Sequence, residues 1–286
     1  MYSRDETVKA VLEFYQEIVR HPYLNDSALV VPPPKGWDGI NVAGKNETVL
    51  DLLRHLPYIR LEKSIEQPLI HWETIPICYS SGTNRQEFYT IPPHCIYFAH
   101  SVDREGTSLI LDTDKGAITE FSHTGENIVI PYEEYEALNE AEKWTAFRST
   151  PTTEFFDIWT RMYEKLVWML VPNPIGQPVT GNFYSRAENR AQEKRLAQQR
   201  YLEPWYPQGT TARDTGESAF DSAQGDERAR HRKHVADVYN TYLRHGWPGH
   251  FDKEKCRAEL LLLEKEKWAE DKRLMDEANP DAELFD

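Results

Sequence analysis

Residues 91–121, IPPHCIYFAHSVDREGTSLILDTDKGAITEF, decide the reading of the chain. Two apolar runs, Cys95–Ala99 and Ser108–Leu111, flank Asp103-Arg104-Glu105-Gly106. A third run, Ala117–Phe121, follows Asp112-Thr113-Asp114-Lys115-Gly116. Runs of strand-forming residues broken by Asp and Gly predict a three-stranded meander, with Gly106 and Gly116 supplying positive φ at the turns. Asp112-Thr113-Asp114 superficially resembles the start of a calcium loop. Its twelfth position is His123 rather than a bidentate Glu, so a hairpin turn is the reading.

Helices are expected on both sides of the meander. Val8, Val11, Leu12, Tyr15, Ile18 and Val19 follow helical spacing over residues 5–20, with Ser3 and Glu6 as a capping box and His21-Pro22 as the stop. Asn46 caps a second helix ending near His55. Residues 69–79 read as one or two short strands, and Pro76 makes this an edge strand or splits it. Ile128–Ile130 reads as a short strand or extended stretch and 131–144 as an acidic helix. Thr152 or Thr153 caps a stronger helix whose Phe155, Phe156, Trp159, Met162 and Tyr163 form an aromatic stripe, expected in the core. Val167–Val171 reads as a last strand, closed off by Pro172, Pro174, Gly176 and Pro178.

Composition changes after that point. Residues 185–202 are rich in Ala, Glu, Arg, Lys and Gln and predict an exposed single helix; 204–228 read as a linker, with Trp205 and Tyr206 docking locally. Helical patterning returns over 234–245, stopped by Gly246 and Pro248, and again from an Asp252 cap to about Ala278. The expected organisation is an α+β domain over 1–175, with a central antiparallel or mixed sheet covered by helices. A polar helix and linker follow over 176–230, then a helical section over 231–286 that packs back on the first domain.

The whole chain of 286 residues carries a net charge of -14, which opposes general binding to nucleic acid or anionic membranes. Eight Trp and fifteen Tyr supply a sizeable core, while a mean hydropathy of -0.68 leaves much of the chain solvated. No run approaches the roughly 20 apolar residues of a membrane span, and the N-terminus lacks the pattern of a secretory signal. Cys78, Cys95 and Cys256 form no CxxC pair, so no disulfide framework is read, and the expected compartment is the cytoplasm, with the nucleus left open. Asn46-Glu47-Thr48 is then a chance sequon.

Motifs for chemistry are mostly missing. There is no GxSxG elbow, Walker A loop, GxGxxG or HExxH. His94 and Cys95 are sequence neighbours, and strand alternation would point them to opposite faces, so they predict no dyad. The spacing of His94, Cys95 and His100 matches no familiar zinc pattern, so neither metal nor cofactor is expected. The Arg186–Arg200 concentration is diluted by Glu188 and Glu193 and lacks interleaved aromatics.

Trp37-Asp38-Gly39, then IPPHCIYFAH, then SLILDTDKGAITEF, then the aromatic helix at 154–166, resemble fungal members of the SUKH superfamily over about residues 30–171. That superfamily includes a fungal cell-wall-synthesis regulator and bacterial toxin-immunity proteins. Tyr242–Pro248 and Cys256-Arg257 look like a tail of uncharacterised fungal relatives. The resemblance implies an α+β fold and protein binding without catalysis. Two functions follow as expectations. The first is a non-enzymatic module, regulatory or scaffolding, that binds an as yet unknown protein partner. Its expected contact residues are Trp37, Asp38, Trp205, Tyr206, Asp112 and Asp114, since interfaces favour aromatic anchors. Trp37 is also read as an anchor that holds its proline-flanked loop on the core. The second is a hydrolase-type enzyme whose histidine joins Asp103, Asp112 or Asp114 only in three dimensions.

Overall fold

The computed structural model describes residues 2–61, 67–81, 90–174, 179–207 and 219–278, with 179 and 219–224 described by backbone alone. In chain order the elements are α1 (Arg4–Arg20), β1 (Leu29–Val30), α2 (Glu47–His55), β2 (Tyr58–Ile59), β3 (Gln67–Pro68), β4 (Thr74–Pro76), β5 (Cys95–Ser101), β6 (Thr107–Asp112) and β7 (Ala117–Ser122). There follow α3 (Tyr132–Ala137), β8 (Ser149–Pro151), α4 (Thr152–Glu164), β9 (Trp168–Val171), β10 (Val179–Thr180), β11 (Asn182–Ser185), α5 (Arg190–Ala197), α6 (Ala219–Arg244) and α7 (Lys253–Ala278). The architecture is α+β.

The meander is the middle of a five-stranded antiparallel sheet of order β4-β5-β6-β7-β8. Both of its faces are buried, which is why Leu109-Ile110-Leu111 is continuously apolar rather than alternating. Ile96, Phe98, Leu109, Leu111 and Ile118 meet Phe14, Phe156 and Tyr163 of α1 and α4 on one face. Cys95, Tyr97, Ile110 and Phe121 meet Trp144 and Phe147 on the other. Pro76 lies in β4, at the edge where its missing N–H removes nothing from the ladder.

The turns divide the work between conformation and clearance. Gly116 takes a φ of 64° and donates its N–H to the Asp112 carbonyl. Gly106, in contrast, is not in the left-handed region; a Cβ there would collide with the Glu73 carbonyl oxygen and the Ser101 side chain. Close approach, rather than positive φ, selects that glycine.

Helix starts follow their caps. Ser3 accepts the Glu6 N–H, Asn46 the Val49 N–H and Asp252 the Lys255 N–H. α4 differs: Pro151 precedes it with no side-chain cap, and the Thr152 N–H bonds the Gly116 carbonyl instead.

Several expectations past residue 128 are corrected. Ile128 forms only an isolated bridge to Phe147, and the acidic stretch yields the short α3 plus a single 3-10 turn at Lys143–Ala146. Val167–Val171 is not the last strand. β11 pairs antiparallel along β9, and β10 pairs with β3, because Gly181 reaches a φ of 89° and turns the chain back. Ser185 therefore ends a strand, and only Arg190–Ala197 of the expected 185–202 helix is helical. α6 begins at Ala219, inside the expected linker; residues 208–218 and 175–178 lie outside the described residues.

The C-terminal helices bury the apolar side of β9. Leu166, Met169 and Val171 cluster with Val235, Val238, Tyr239 and Tyr242. Gly246, with a φ of 89°, ends α6, and α7 returns after the Asp252 cap. Buried Glu264 of α7 accepts hydrogen bonds from Asn182 Nδ2 (2.6 Å) and the Tyr184 hydroxyl (3.0 Å), and lies 2.8 Å from His234 Nε2. A buried carboxylate is tolerated because its oxygens are engaged. At the other end, the Tyr242 hydroxyl donates to the Leu170 carbonyl (2.7 Å) and sits 2.8 Å from His21 Nδ1.

Tyr242→Phe leaves the Leu170 carbonyl and His21 Nδ1 without that partner in a buried interior. It should lower unfolding free energy by about 1–3 kcal/mol in urea denaturation; an unchanged midpoint would contradict the network. Glu17 gives a pH test. Burial pushes its carboxyl up to about 7, against the pull of Arg20 and with Glu164 adding to the rise. The folded state thus holds the proton more tightly than the unfolded chain. This contribution is full below pH 4.5 and is lost as pH rises through 7. Glu17→Gln should remove about 3 kcal/mol of that decline, read as a flatter profile of melting temperature between pH 4.5 and 8; a parallel profile would refute the assignment.

Candidate functional site

A groove of about 980 Å3 opens beside α4 and β11. Its floor is aromatic. The His71 ring centroid lies 4.5 Å from Trp168, 4.7 Å from Phe183 and 4.9 Å from Trp159, and Phe155 stacks beside Trp159 at 4.7 Å. α4, β9 and β11 deliver the rings around His71, which itself lies in the turn before β4.

Trp72 arrives differently, at the tip of the tight turn from His71 to Thr74, where Glu73 takes a φ of 45°. That turn is fixed from below. The Tyr163 hydroxyl donates to the Ile70 carbonyl and the Tyr23 hydroxyl to the Leu69 carbonyl, both at 2.6 Å. Trp72 is 46% exposed, so a large ring is held at the groove's margin without being consumed by packing.

The rim is charged. Glu120 is paired with Arg148 (Nε to Oε2, 2.7 Å), and Glu193 accepts the Trp168 indole N–H (2.9 Å). Glu105, Glu126 and Glu154 line the remainder, with Arg190 and Lys194 on the α5 side. His71 retains some exposure as a residue, yet its Nδ1 is enclosed without a hydrogen-bond partner. Burial pushes its pKa down to about 3, so the ring is a neutral part of the floor near pH 7.

A second constellation lies at the start of β5. His94, Cys95 and Asp112 each present a donor atom, all within 4.8 Å of one another. Alternation does not separate His94 from Cys95 as expected. β5 begins at Cys95, whose N–H closes a turn onto the Pro92 carbonyl, so His94 belongs to the turn and not the pleat. Asp112 is the cross-strand partner of Cys95. Its Oδ1 accepts the N–H groups of Asp114 and Lys115 (2.9 Å each), the hairpin role expected of it. Burial, and then Asp112, push the Cys95 thiol up to about 12, so it is no activated nucleophile. His100 stands apart, with its Nδ1 2.9 Å from the Ser101 carbonyl oxygen.

The other sequence candidates are scattered. Trp37 is half-buried, donates its indole N–H to the Leu56 carbonyl (2.8 Å) and packs near Tyr58, the anchoring role read for it; Asp38 beside it is exposed. Trp205 is not exposed as a free anchor. It packs on the cluster around Tyr239, and its backbone exchanges two hydrogen bonds with the Asn240 side chain. Tyr206 is exposed. None of these four lines the groove, and Asp114 sits with His94. Sequence reading assigned the 154–166 stripe to the core and passed over Trp72 and Phe183. The signal it could have used is Trp72 followed by Glu73 between short strands, a large ring in a turn.

In comparison, the chain matches no protein-family description, no curated protein and no solved structure. The SUKH resemblance therefore stands on its motifs alone.

His71 yields a pH prediction of opposite sign to that of Glu17. The folded state keeps the ring neutral while the unfolded chain takes up a proton below pH 6.5. Stability is full above 6.5 and falls as pH drops toward 3. His71→Phe should retain more of its pH 7 stability at pH 4 than the parent does, measured by urea unfolding at both values. Equal losses in the two proteins would contradict the buried neutral ring.

Proposed function

We propose that the protein is a non-enzymatic interaction module, regulatory or scaffolding, that holds an extended peptide segment of a protein partner in the aromatic groove. The observation that carries this reading is Trp72, exposed at the tip of a turn pinned from beneath. Beside it Phe183, Trp159 and Trp168 form a preformed apolar floor. Rigid aromatic anchors bury much area at little entropic expense, which is what binding hot spots use.

The electrostatics favour a segment bearing Lys or Arg beside an aliphatic side chain. Glu105, Glu126 and Glu154 face the opening, and a cation over an indole gains further attraction. The net charge of -14 adds long-range steering of a basic partner. The SUKH resemblance, which implies protein binding, supports the same class of function.

A second reading, a hydrolase-type site, is favoured by one observation. His94 lies between two carboxylates, with Nδ1 3.5 Å from Asp114 Oδ2 and Nε2 4.0 Å from Asp112 Oδ1. None of these three residues lines the aromatic groove.

Selection from a random peptide library should enrich sequences with a basic residue near an aliphatic one. Trp72→Ala should weaken the selected peptides about 30-fold, the size of a hot-spot loss of 2 kcal/mol. Trp37→Ala and Tyr206→Ala serve as comparators. Weakening in those variants with Trp72→Ala unaffected would move the interface elsewhere; turnover of an ester or amide that His94→Ala abolishes would favour the enzyme.

A further inference from the structure

We propose that His94, Cys95 and Asp112 form a three-ligand site for a zinc-type divalent cation, with Asp114 orienting the histidine. Imidazole nitrogen, thiolate sulfur and carboxylate oxygen are the donor set that zinc shares with few other biological cations, whereas calcium and magnesium want oxygen alone. All three donor atoms already lie within 4.8 Å of one another. Ligands on a tetrahedral zinc with bonds of about 2.0–2.3 Å stand roughly 3.3–3.8 Å apart, so closure asks for a movement on the order of 1 Å. The half-exposed His94 ring has the freedom to make it.

The backbone under the site is fixed. Cys95 and Asp112 are direct partners across β5 and β6, so their side chains leave the same face of the sheet. The His94 carbonyl accepts both the Thr113 N–H and the Thr113 hydroxyl, each at 2.9 Å. Ligands held on paired strands lose little freedom on binding.

Asp112 supplies the independent observation. The residue is 2% exposed, and its Oδ2 has no hydrogen-bond partner. Turn geometry accounts for Oδ1 and leaves Oδ2 unexplained. Its nearest cation is Lys115 Nζ at 3.7 Å, on a side chain that is 67% exposed and free to withdraw into solvent. A buried carboxylate oxygen without a donor is a standing expense, and a cation bound there would relieve it.

The outer shell also fits. With His94 Nε2 turned toward Asp112, Nδ1 faces Asp114 Oδ2 at 3.5 Å. A carboxylate on the far nitrogen is the usual companion of a metal-bound histidine, fixing its tautomer and raising its basicity. On binding, the cation replaces the proton of the Cys95 thiol, forming a sulfur–metal bond and releasing one proton to solvent. The fourth position is left to water.

The test is a titration of the full chain with Co2+ in reducing buffer, followed by displacement with Zn2+. One equivalent should produce a thiolate-to-cobalt charge-transfer band that Zn2+ abolishes. Cys95→Ser should remove the band and Cys78→Ser should keep it. His94→Ala, at a half-exposed position that leaves the strands intact, should weaken Co2+ at least tenfold with an unchanged circular dichroism spectrum. Asp114→Asn should weaken it about 10–100-fold, as loss of an outer-shell partner does. Absence of the band in the parent protein, its persistence in Cys95→Ser, or unchanged affinity in folded His94→Ala would each overturn the site.

Discussion

A short chain of hydrogen bonds through His21, Tyr242 and Leu170 is the constraint on which the arrangement of the molecule turns. His21 stops α1 because Pro22 follows it, and its ring is fully buried. Burial holds that ring far below its ordinary pKa, hence neutral. Tyr242 brings α6 to it, and the Tyr242 hydroxyl goes on to the carbonyl of Leu170 in β9. His21 Nδ1 also accepts the Leu170 N–H at 3.5 Å, so both backbone polar groups of Leu170 are engaged by this pair. Three elements far apart in sequence are thereby tied at one fully buried point.

Surrounding contacts repeat the same joint in more exposed form. Arg20 stacks over Trp247 and donates to the Pro248 carbonyl, while Arg257 donates to the Asn25 side chain. Partly solvated pairs of this kind contribute little individually, so the apolar cluster of Leu166, Met169, Tyr239 and Tyr242 carries the association. The consequence reaches the groove. β11, which supplies Phe183, is held on β9 from one side and by the Glu264 hydrogen bonds of α7 from the other. The C-terminal helices are thus part of what keeps the aromatic floor in place.

The meander, α1, α2 and the aromatic helix were legible because local rules agree there: caps at Ser3 and Asn46, apolar runs, and turn residues between them. Trp37 as a loop anchor was legible for the same reason, a lone large ring between glycines. β11 was not. Asn182–Ser185 is too short and mixed to announce itself, and its pairing with β9 depends on a turn at Gly181 whose partners lie elsewhere. The beginning of α6 was hidden because Asp221, Ser222, Gly225 and Asp226 are weak helix formers and no apolar stripe accompanies them. The groove was illegible in principle, since Trp159 and Trp168 have the same pattern whether a helix or a ligand covers them. Alternation does not govern His94 and Cys95, because the strand begins only at Cys95.

The sheet's pleat separates the two candidate sites. Cys95 and Asp112 leave the face that carries Tyr97 and Ile110, whereas Glu120 pairs opposite Leu109 and leaves the face shared with α1 and α4. A peptide in the groove and a cation beside Asp112 would therefore touch opposite sides of β6 and β7 without competing for a residue. The strands between them are flanked by packed cores on both faces, and coupling through such a core needs an element with two discrete arrangements. β6 and β7 pair in unbroken register from Thr107–Ser122 to Asp112–Ala117. The irregularity lies in β5, between Tyr97 and Ala99, two residues beyond Cys95. A bulge is where a strand can change its twist with least loss of pairing. If the two sites influence one another, that bulge, and not the regular β6–β7 ladder, is the physical route.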